Sequence, residues 1–400
     1  MNICKIVDGD YPWDVRVEKI CDTLIEAGHD VFLVSRNVRR QPLHEYYKGI
    51  HIFRLPHLPR FMGKLNYYAT FPAFFSPLWI ARVQQVVRAN SIDCIMVRDL
   101  PLALTAAVVG KLNCMPVILD MAECYPEMLR TLWQFGGGGV TDLVVRNPSM
   151  AGLVEKLAVK DVDHVLVVVE ESMKRLLELG VSPKKISIVS NTPNLNEFSK
   201  RPPTFPGSTR FRKDTLVMLY VGLLSMARGL DFVIQALPTL IRKHPNVTVV
   251  IVGRGKAQAR LQKLAKELNV EEHVYFEGYV DRELVPQYIA SSDVGIIPYP
   301  YCSHWAHTIP NKLFDYMAMS KPVLVSDIEP MKRIVSETRS GVIFQSSRID
   351  SFCRAVGILL DERSRRKMGE NGEKAVRERY NWDVDAAQLL DVLEGCRMQT

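Results

Sequence analysis

One stretch of the chain gathers residues that could hold an anion. His307-Thr-Ile-Pro310-Asn311-Lys312-Leu-Phe-Asp315 runs into Tyr316-Met-Ala, and a short apolar run, Pro322-Val-Leu-Val-Ser326, follows at once. Pro310 marks a helix start, with Asp315 in the early turns. A helix N-terminus offers free backbone N–H groups, and at the carboxyl end of a parallel strand these form a phosphate site. Upstream, Gly222 closes an apolar run and Arg228-Gly229 opens a helical pattern. A cation set by a glycine-permitted turn beside a helix start suits a diphosphate; the alternative is a plain turn with a solvated arginine. Elsewhere, Val117-Ile-Leu-Asp120-Met-Ala-Glu123 places two carboxylates three apart, just past a buried strand. Asp120 there either orients a hydroxyl and takes its proton late, or caps the following helix.

The elements that must position these groups follow from periodicity. Short β-branched runs alternate with helical patterns throughout, which predicts parallel sheets built from βαβ units. In the first half, strands are expected at 2–7, 31–35, 50–54, 94–97, 117–120, 165–169 and 186–189, with helices at about 15–28, 77–90, 101–112 and 171–180. Between Ser199 and Asp214, proline, glycine and charge without periodicity mark a linker. A second series then sets strands at 215–221, 247–252, 274–276, 294–297, 322–326 and 342–344. Its helices fall near 229–243, 256–268, 281–291, 311–319, 349–360 and 363–379, and a last one near 383–396.

Composition narrows the partners. Four hundred residues, 47% hydrophobic, imply about two domains. A net charge of +7 favours an anionic partner without choosing among sugar nucleotide, nucleic acid and acidic membrane. The basic residues are dispersed and no recognised module appears, which disfavours nucleic acid. Eight single cysteines without a CxxC pair suggest reduced core thiols of a cytosolic protein. Met-Asn-Ile-Cys-Lys-Ile-Val at the start is expected to be a strand and not a signal peptide. The longest uncharged stretch, Leu65 to Ala81, is broken by Pro72 and Pro77, so no membrane span is expected.

Taken together, Val221-Gly-Leu-Leu-Ser-Met-Ala-Arg228-Gly-Leu-Asp231, Val250-Ile-Val-Gly253-Arg254-Gly255, Val274-Tyr-Phe-Glu-Gly-Tyr279-Val and the Pro310 to Asp315 segment resemble the donor half of retaining glycosyltransferase family 4. The resembling subset includes bacterial exopolysaccharide and lipopolysaccharide enzymes. It implies an α/β GT-B fold: two Rossmann-like domains facing across a cleft, with a C-terminal helix crossing back to the first. On that basis residues 1–200 plus 383–400 bind the acceptor and 214–380 bind the nucleotide-sugar. The resemblance implies donor contacts from Gly222, Arg228, Gly253, Arg254, Tyr279, His307, Pro310, Asn311, Lys312 and Asp315. The family's Glu-x7-Glu pair becomes His307 and Asp315, and Leu223 stands where a first arginine is usual. Lys312 is the candidate to supply that missing charge. Catalysis would come from diphosphate stabilisation by Arg228 and Lys312, with Asp120 and Glu123 at the acceptor.

The opening loop, Asp8-Gly-Asp-Tyr-Pro-Trp-Asp14-Val-Arg16, resembles the subset reading Asp-x-Arg-Val. Asp14, Arg16, Asp120 and Glu123 are its implied acceptor residues; Arg16 either faces an acceptor phosphate or pairs with Glu18 or Asp14. The implied activity is metal-independent, retaining sugar transfer from a nucleotide donor, UDP-linked in preference, to a glycan or lipid-linked glycan of the cell surface. No cofactor beyond that co-substrate is expected. The location implied is cytoplasmic, with peripheral contact at the inner membrane face. Arg36 to Lys64, rich in cations and followed by Tyr67, Tyr68, Phe71, Phe74, Phe75 and Trp79, suits an anionic membrane, or is a charged surface beside an aromatic core helix. Cys302-Ser-His304-Trp-Ala-His307 has a zinc-like look but lacks a second cluster. Two rivals remain: a sugar-nucleotide epimerase-like enzyme of the same fold, and a catalytically weak nucleotide-binding scaffold. A nicotinamide dehydrogenase is disfavoured by the missing third glycine after Gly255.

Overall fold

The computed structural model describes residues 1–12, 14–57, 74–135, 146–198 and 214–397. Two compact units divide the chain: Met1–Ser190 together with Asp385–Thr400, and Asn191–Val384. Each is an α/β layer structure on a largely parallel sheet, as the alternating rhythm of strand and helix predicts.

In the first unit the strands are β1 (Asn2–Val7), β2 (Asp30–Ser35), β3 (His44–Tyr47), β4 (Ile50–Arg54), β5 (Cys94–Arg98), β6 (Val117–Met121), β7 (His164–Val167) and β8 (Ile186–Ile188). Their order is β3-β4-β2-β1-β5-β6-β7-β8. The central strands read as continuous apolar runs because helices cover both sheet faces, and Ile3, Ile6, Ile95, Val97, Leu119 and Val165 are fully buried. From β1 the order runs one way through β2 and the other way through β5. The carboxyl ends of β1 and β5 therefore border the crevice where open sheets of this kind take ligands.

The second unit holds β9 (Leu216–Val221), β10 (Val247–Val252), β11 (Val274–Gly278), β12 (Val294–Ile297), β13 (Val323–Ser326) and β14 (Gly341–Phe344), ordered β11-β10-β9-β12-β13-β14 and parallel throughout. Its reversal lies between β9 and β12. The helix Asn311–Ala318 is fixed there by Tyr316, whose hydroxyl accepts from the Val221 N–H at 3.0 Å and donates to the Leu219 carbonyl at 3.1 Å. Gly295 leaves space for that ring: a Cβ there would lie 2.1 Å from it.

Several elements depart from the sequence expectation. β3 pairs antiparallel with β4 as an edge strand, and helices Tyr125–Gln134, Pro148–Asp161 and Glu329–Thr338 were not foreseen. The helix expected at 101–112 starts as a 3-10 turn, Leu100–Leu102, before Ala103–Asn113. The expected linker at 199–213, the glycine run at 136–139, and Arg60, Lys64, Tyr67, Tyr68 and Phe71 lie outside the described residues.

Candidate functional site

In the second unit the donor-site candidates converge at the carboxyl ends of β9, β10, β11 and β12. Gly222 follows β9 at φ 139° and Gly253 follows β10 at φ 135°, in the region that favours glycine. Their loops interlock: a Cβ on Gly253 would stand 1.9 Å from the Gly222 carbonyl, and the Leu224 N–H donates to the Arg254 carbonyl at 3.1 Å. Val221, Gly222, Leu223, Val252, Gly253, Arg254, Tyr279, Val280 and Val285 line a cavity of about 290 Å³. Exposed Arg254 lies over the Tyr279 ring, 4.6 Å from its centroid. Backbone edges, apolar walls and an exposed aromatic face are what a planar base needs.

Beside that cavity lie the two cations. Gly229, at φ 69°, heads the helix Leu230–Lys243 directly after the turn Met226–Arg228. The Arg228 guanidinium rests on the rings of Tyr299 (4.9 Å) and Trp305 (4.4 Å) and donates to the Tyr299 hydroxyl. Lys312, in the first turn after Pro310, places Nζ 3.8 Å from the Tyr220 ring centroid and 5.6 Å from that of Tyr299. Its Nζ also sits 2.8 Å from where a Cβ of Gly222 would be, so it reaches the loop in which Leu223 stands 58% exposed. Burial pushes the Lys312 amine well below the ordinary lysine value, Arg228 adds to this, and Asp315 opposes it. Asn311 is exposed, while Asp315 and His307 are half-buried. The His307 Nδ1 faces the Ser303 carbonyl at 2.8 Å. A carbonyl only accepts, so that nitrogen carries the proton.

The first unit corrects two expectations. Asp120 has no exposed surface and accepts from Arg16 Nη2 at 2.7 Å, Arg16 Nε at 3.0 Å and Lys5 Nζ at 3.2 Å. Burial alone would raise its pKa, but Arg16, Lys5 and Arg98 outweigh it and hold the carboxyl far below the usual range. It is a buried counter-ion, and no acceptor hydroxyl reaches it. Arg16 is equally engaged, since its guanidinium also donates to the carbonyls of Val189 (2.8 Å) and Ser190 (2.9 Å). An arginine so held does not face an acceptor phosphate.

What lies open instead is a cavity of about 180 Å³ at the carboxyl ends of β1 and β5, lined among others by Asp8, Asp10, Tyr11, Asp14, Arg98 and Asp99. Asp14 caps the helix Val15–Glu26 through the N–H groups of Arg16 and Val17 and pairs with Arg98 at 3.5 Å. Asp99, held at φ 57°, accepts from the N–H groups of Ala122 (3.1 Å) and half-buried Glu123 (3.3 Å). A non-glycine residue in that conformation carries strain of the kind found at functional sites. Burial lifts the Asp8 carboxyl up to about 7, against the pull of Arg36 at 3.9 Å. The sequence expectation named Asp14 and Arg16 from the loop Asp8 to Arg16 and did not include Arg98 or Asp99. Among the described residues no three His, Cys, Asp or Glu side chains group as metal ligands.

Comparison with known proteins bears on both units. The family model described as Glycosyl transferases group 1 matches residues 203–375, and that described as Glycosyl transferase 4-like domain matches residues 14–192. An uncharacterized glycosyltransferase of Methanocaldococcus jannaschii is 26% identical over 60% of this chain and 62% of its own length. A GDP-mannose-dependent alpha-(1-6)-phosphatidylinositol monomannoside mannosyltransferase of Mycolicibacterium smegmatis is 28% identical over 46% of this chain and 49% of its own. The chain thus spans about half the length of the curated relatives it matches. Among solved structures, sucrose-phosphate synthase from Thermosynechococcus elongatus aligns at TM-score 0.76 with 18% identity, covering 100% of both chains. Anabaena HepE in complex with UDP and glucose aligns at 0.72 with 15% identity, over 99% of this chain and 100% of its own. At such identities the likeness is one of fold.

Proposed function

The chain belongs to the family 4 type of glycosyltransferases, with the GT-B fold, and we propose that it transfers a sugar from a nucleotide donor, UDP-linked in preference, to a hydroxyl of a glycan or lipid-linked glycan. Transfer proceeds with retention and without a metal. The observation that carries this reading is the pair of cations, Arg228 and Lys312, held at the reversal point between β9 and β12 beside a helix N-terminus. A diphosphate seated there has two positive groups and free N–H donors aimed at the charge it gains when the sugar leaves. The bond from the anomeric carbon to the phosphate oxygen breaks with its electron pair going to the diphosphate. The acceptor oxygen bonds the same carbon, and its proton passes to the leaving phosphate.

Lys312 stands in for the arginine that Leu223 replaces, and Asp315 receives the ribose hydroxyls. Tyr279 and Arg254 border the base, and His307 accepts a sugar hydroxyl at Nε2. In the first unit the acceptor seat is the cavity of Asp8, Asp14 and Asp99, with Glu123 at its margin; Asp120 and Arg16 act there only as its buried support. UDP is preferred because a neighbour of this fold, 15% identical, is known with UDP bound, although a relative of higher identity, 28%, is named for GDP-mannose.

The deciding measurement is thermal stabilisation by UDP-, GDP-, dTDP- and CMP-sugars, with magnesium and with a chelator. One base class should stabilise the chain equally in both, and Arg228→Ala and Asp315→Ala should each remove the effect. Silence with every sugar nucleotide would overturn the donor site, and stabilisation without any sugar transfer would leave the nucleotide-binding scaffold. Product released as free sugar without an acceptor would favour the epimerase-like reading.

A further inference from the structure

We infer that Tyr299 and Trp305 are positioning residues, an aromatic clamp that holds Arg228 ready for the donor diphosphate; this rests on the donor-site reading above. Both rings come from the loop between β12 and the helix Asn311–Ala318, while Arg228 comes from the loop after β9. The two loops touch closely: a Cβ on Gly229 would stand 1.8 Å from the Pro298 carbonyl. The guanidinium lies 4.4 Å from the Trp305 centroid and 4.9 Å from that of Tyr299, and it also donates to the Tyr299 hydroxyl.

The clamp is itself fixed. The indole N–H of Trp305 donates to the Ala227 carbonyl at 3.1 Å, next to the residue it holds. Trp305 packs on Tyr299 at 4.5 Å and on His304 at 4.4 Å, and Tyr299 and Trp305 are only 1% and 7% exposed. Tyr299 faces Lys312 as well, at 5.6 Å, so one ring serves both cations.

Ring faces attract a cation through their quadrupole without cancelling its formal charge. A carboxylate could fix the arginine as firmly, but it would compete with the diphosphate for the same donors. An aromatic clamp restricts the side chain's rotamers before the ligand arrives and leaves the charge in force, which is preorganisation in its ordinary sense. Both cations approach aromatic rings in this way, Lys312 on Tyr220 and Arg228 on Tyr299 and Trp305.

The test is calorimetric binding of UDP and of uridine to the full chain, using Trp305→Leu, Trp305→Phe, Tyr299→Phe and Arg228→Ala, singly and with Trp305→Leu and Arg228→Ala combined. GDP and guanosine replace the probes if the donor base is guanine. Trp305→Leu should weaken the nucleoside diphosphate about tenfold and leave the nucleoside unchanged. Trp305→Phe and Tyr299→Phe, which keep a ring face, should stay within about threefold. In the Arg228→Ala background, Trp305→Leu should add less than about twofold, because the ring acts through the arginine. Equal weakening in both backgrounds, equal loss of nucleoside binding, or no effect of Trp305→Leu where Arg228→Ala has one would overturn the clamp. If Trp305→Leu does not fold, Tyr299→Leu, which removes the other ring face, takes its place: a loss of UDP affinity of about tenfold at unchanged uridine affinity would uphold the clamp, and no loss of UDP affinity would overturn it. No effect of Arg228→Ala on either nucleoside diphosphate would sink the donor-site reading itself.

Discussion

Asp120 shows how a carboxylate's environment decides its work. Three cations from β1, β5 and the first helix converge on it, so its removal leaves charge buried without compensation. Asp120→Asn should lower unfolding stability by about 3–5 kcal/mol, read by denaturant titration. Folded protein, if recovered, should keep its affinity for sugar nucleotide. Asp8 presents the opposite case. Its folded pKa of about 7 lies above the unfolded value of 3.8, so between those values the unfolded state holds fewer protons. The resulting penalty is absent in acid, grows as pH rises from about 4, and is complete above about 7. Asp8→Asn should therefore raise the melting temperature at pH 8 and change it little at pH 4, as a scanning calorimeter would report. A larger gain at pH 4 than at pH 8 would contradict this assignment.

At the level of elements, the donor half depends on how closely the helix Asn311–Ala318 sits on β9 and β12. Gly295→Ala drives a methyl into the Tyr316 ring and should cost about 1–3 kcal/mol, with a loss of donor affinity because Lys312 and Asp315 ride on that helix. Tyr316→Phe leaves the Val221 N–H without its partner and should cost about 1–3 kcal/mol by denaturant titration, while the packing survives. This helix was legible in the sequence because Pro310, the following polar residues and the apolar spacing act locally. β3 was not. His44-Glu-Tyr-Tyr47 is four residues with charge and no β-branched side chain, and its pairing with β4 is made across a turn at Lys48 and Gly49. The helices at Pro148 and Glu329 are not legible from strand alternation, because their buried apolar residues (Ala151, Val154, Ala158 and Met331, Ile334, Val335) recur at helical spacing within a polar background. The aromatic clamp was out of reach for a different reason: Arg228 and Trp305 lie far apart in sequence, and no local pattern joins them. Asp120 was misread likewise, since Lys5 and Arg16 reach it across separations of 115 and 104 residues.

For the whole molecule, the net charge is +7. Exposed Arg39, Arg40 and Lys48 stand in the same stretch as Val38, Leu43 and Tyr46, which are 51%, 47% and 66% exposed. No helix among the described residues is long and apolar enough to cross a membrane. Membrane contact through this stretch predicts co-sedimentation with phosphatidylglycerol vesicles and not with phosphatidylcholine alone. Replacing the three cations by glutamate should weaken it by at least about 3 kcal/mol, near a hundredfold. Binding that ignores both lipid charge and salt would contradict this. The division of the chain also has a consequence for how it is made. Asp385 accepts a hydrogen bond from the Ser190 N–H at 2.8 Å, and the residues from Asp385 onward belong with Met1–Ser190. A ribosome therefore delivers all of Asn191–Val384 before the final helical segment of the first unit emerges. The half that begins first is completed last, and during that interval it must wait unfinished, with the surface meant for its last helix exposed to whatever else is in the cell.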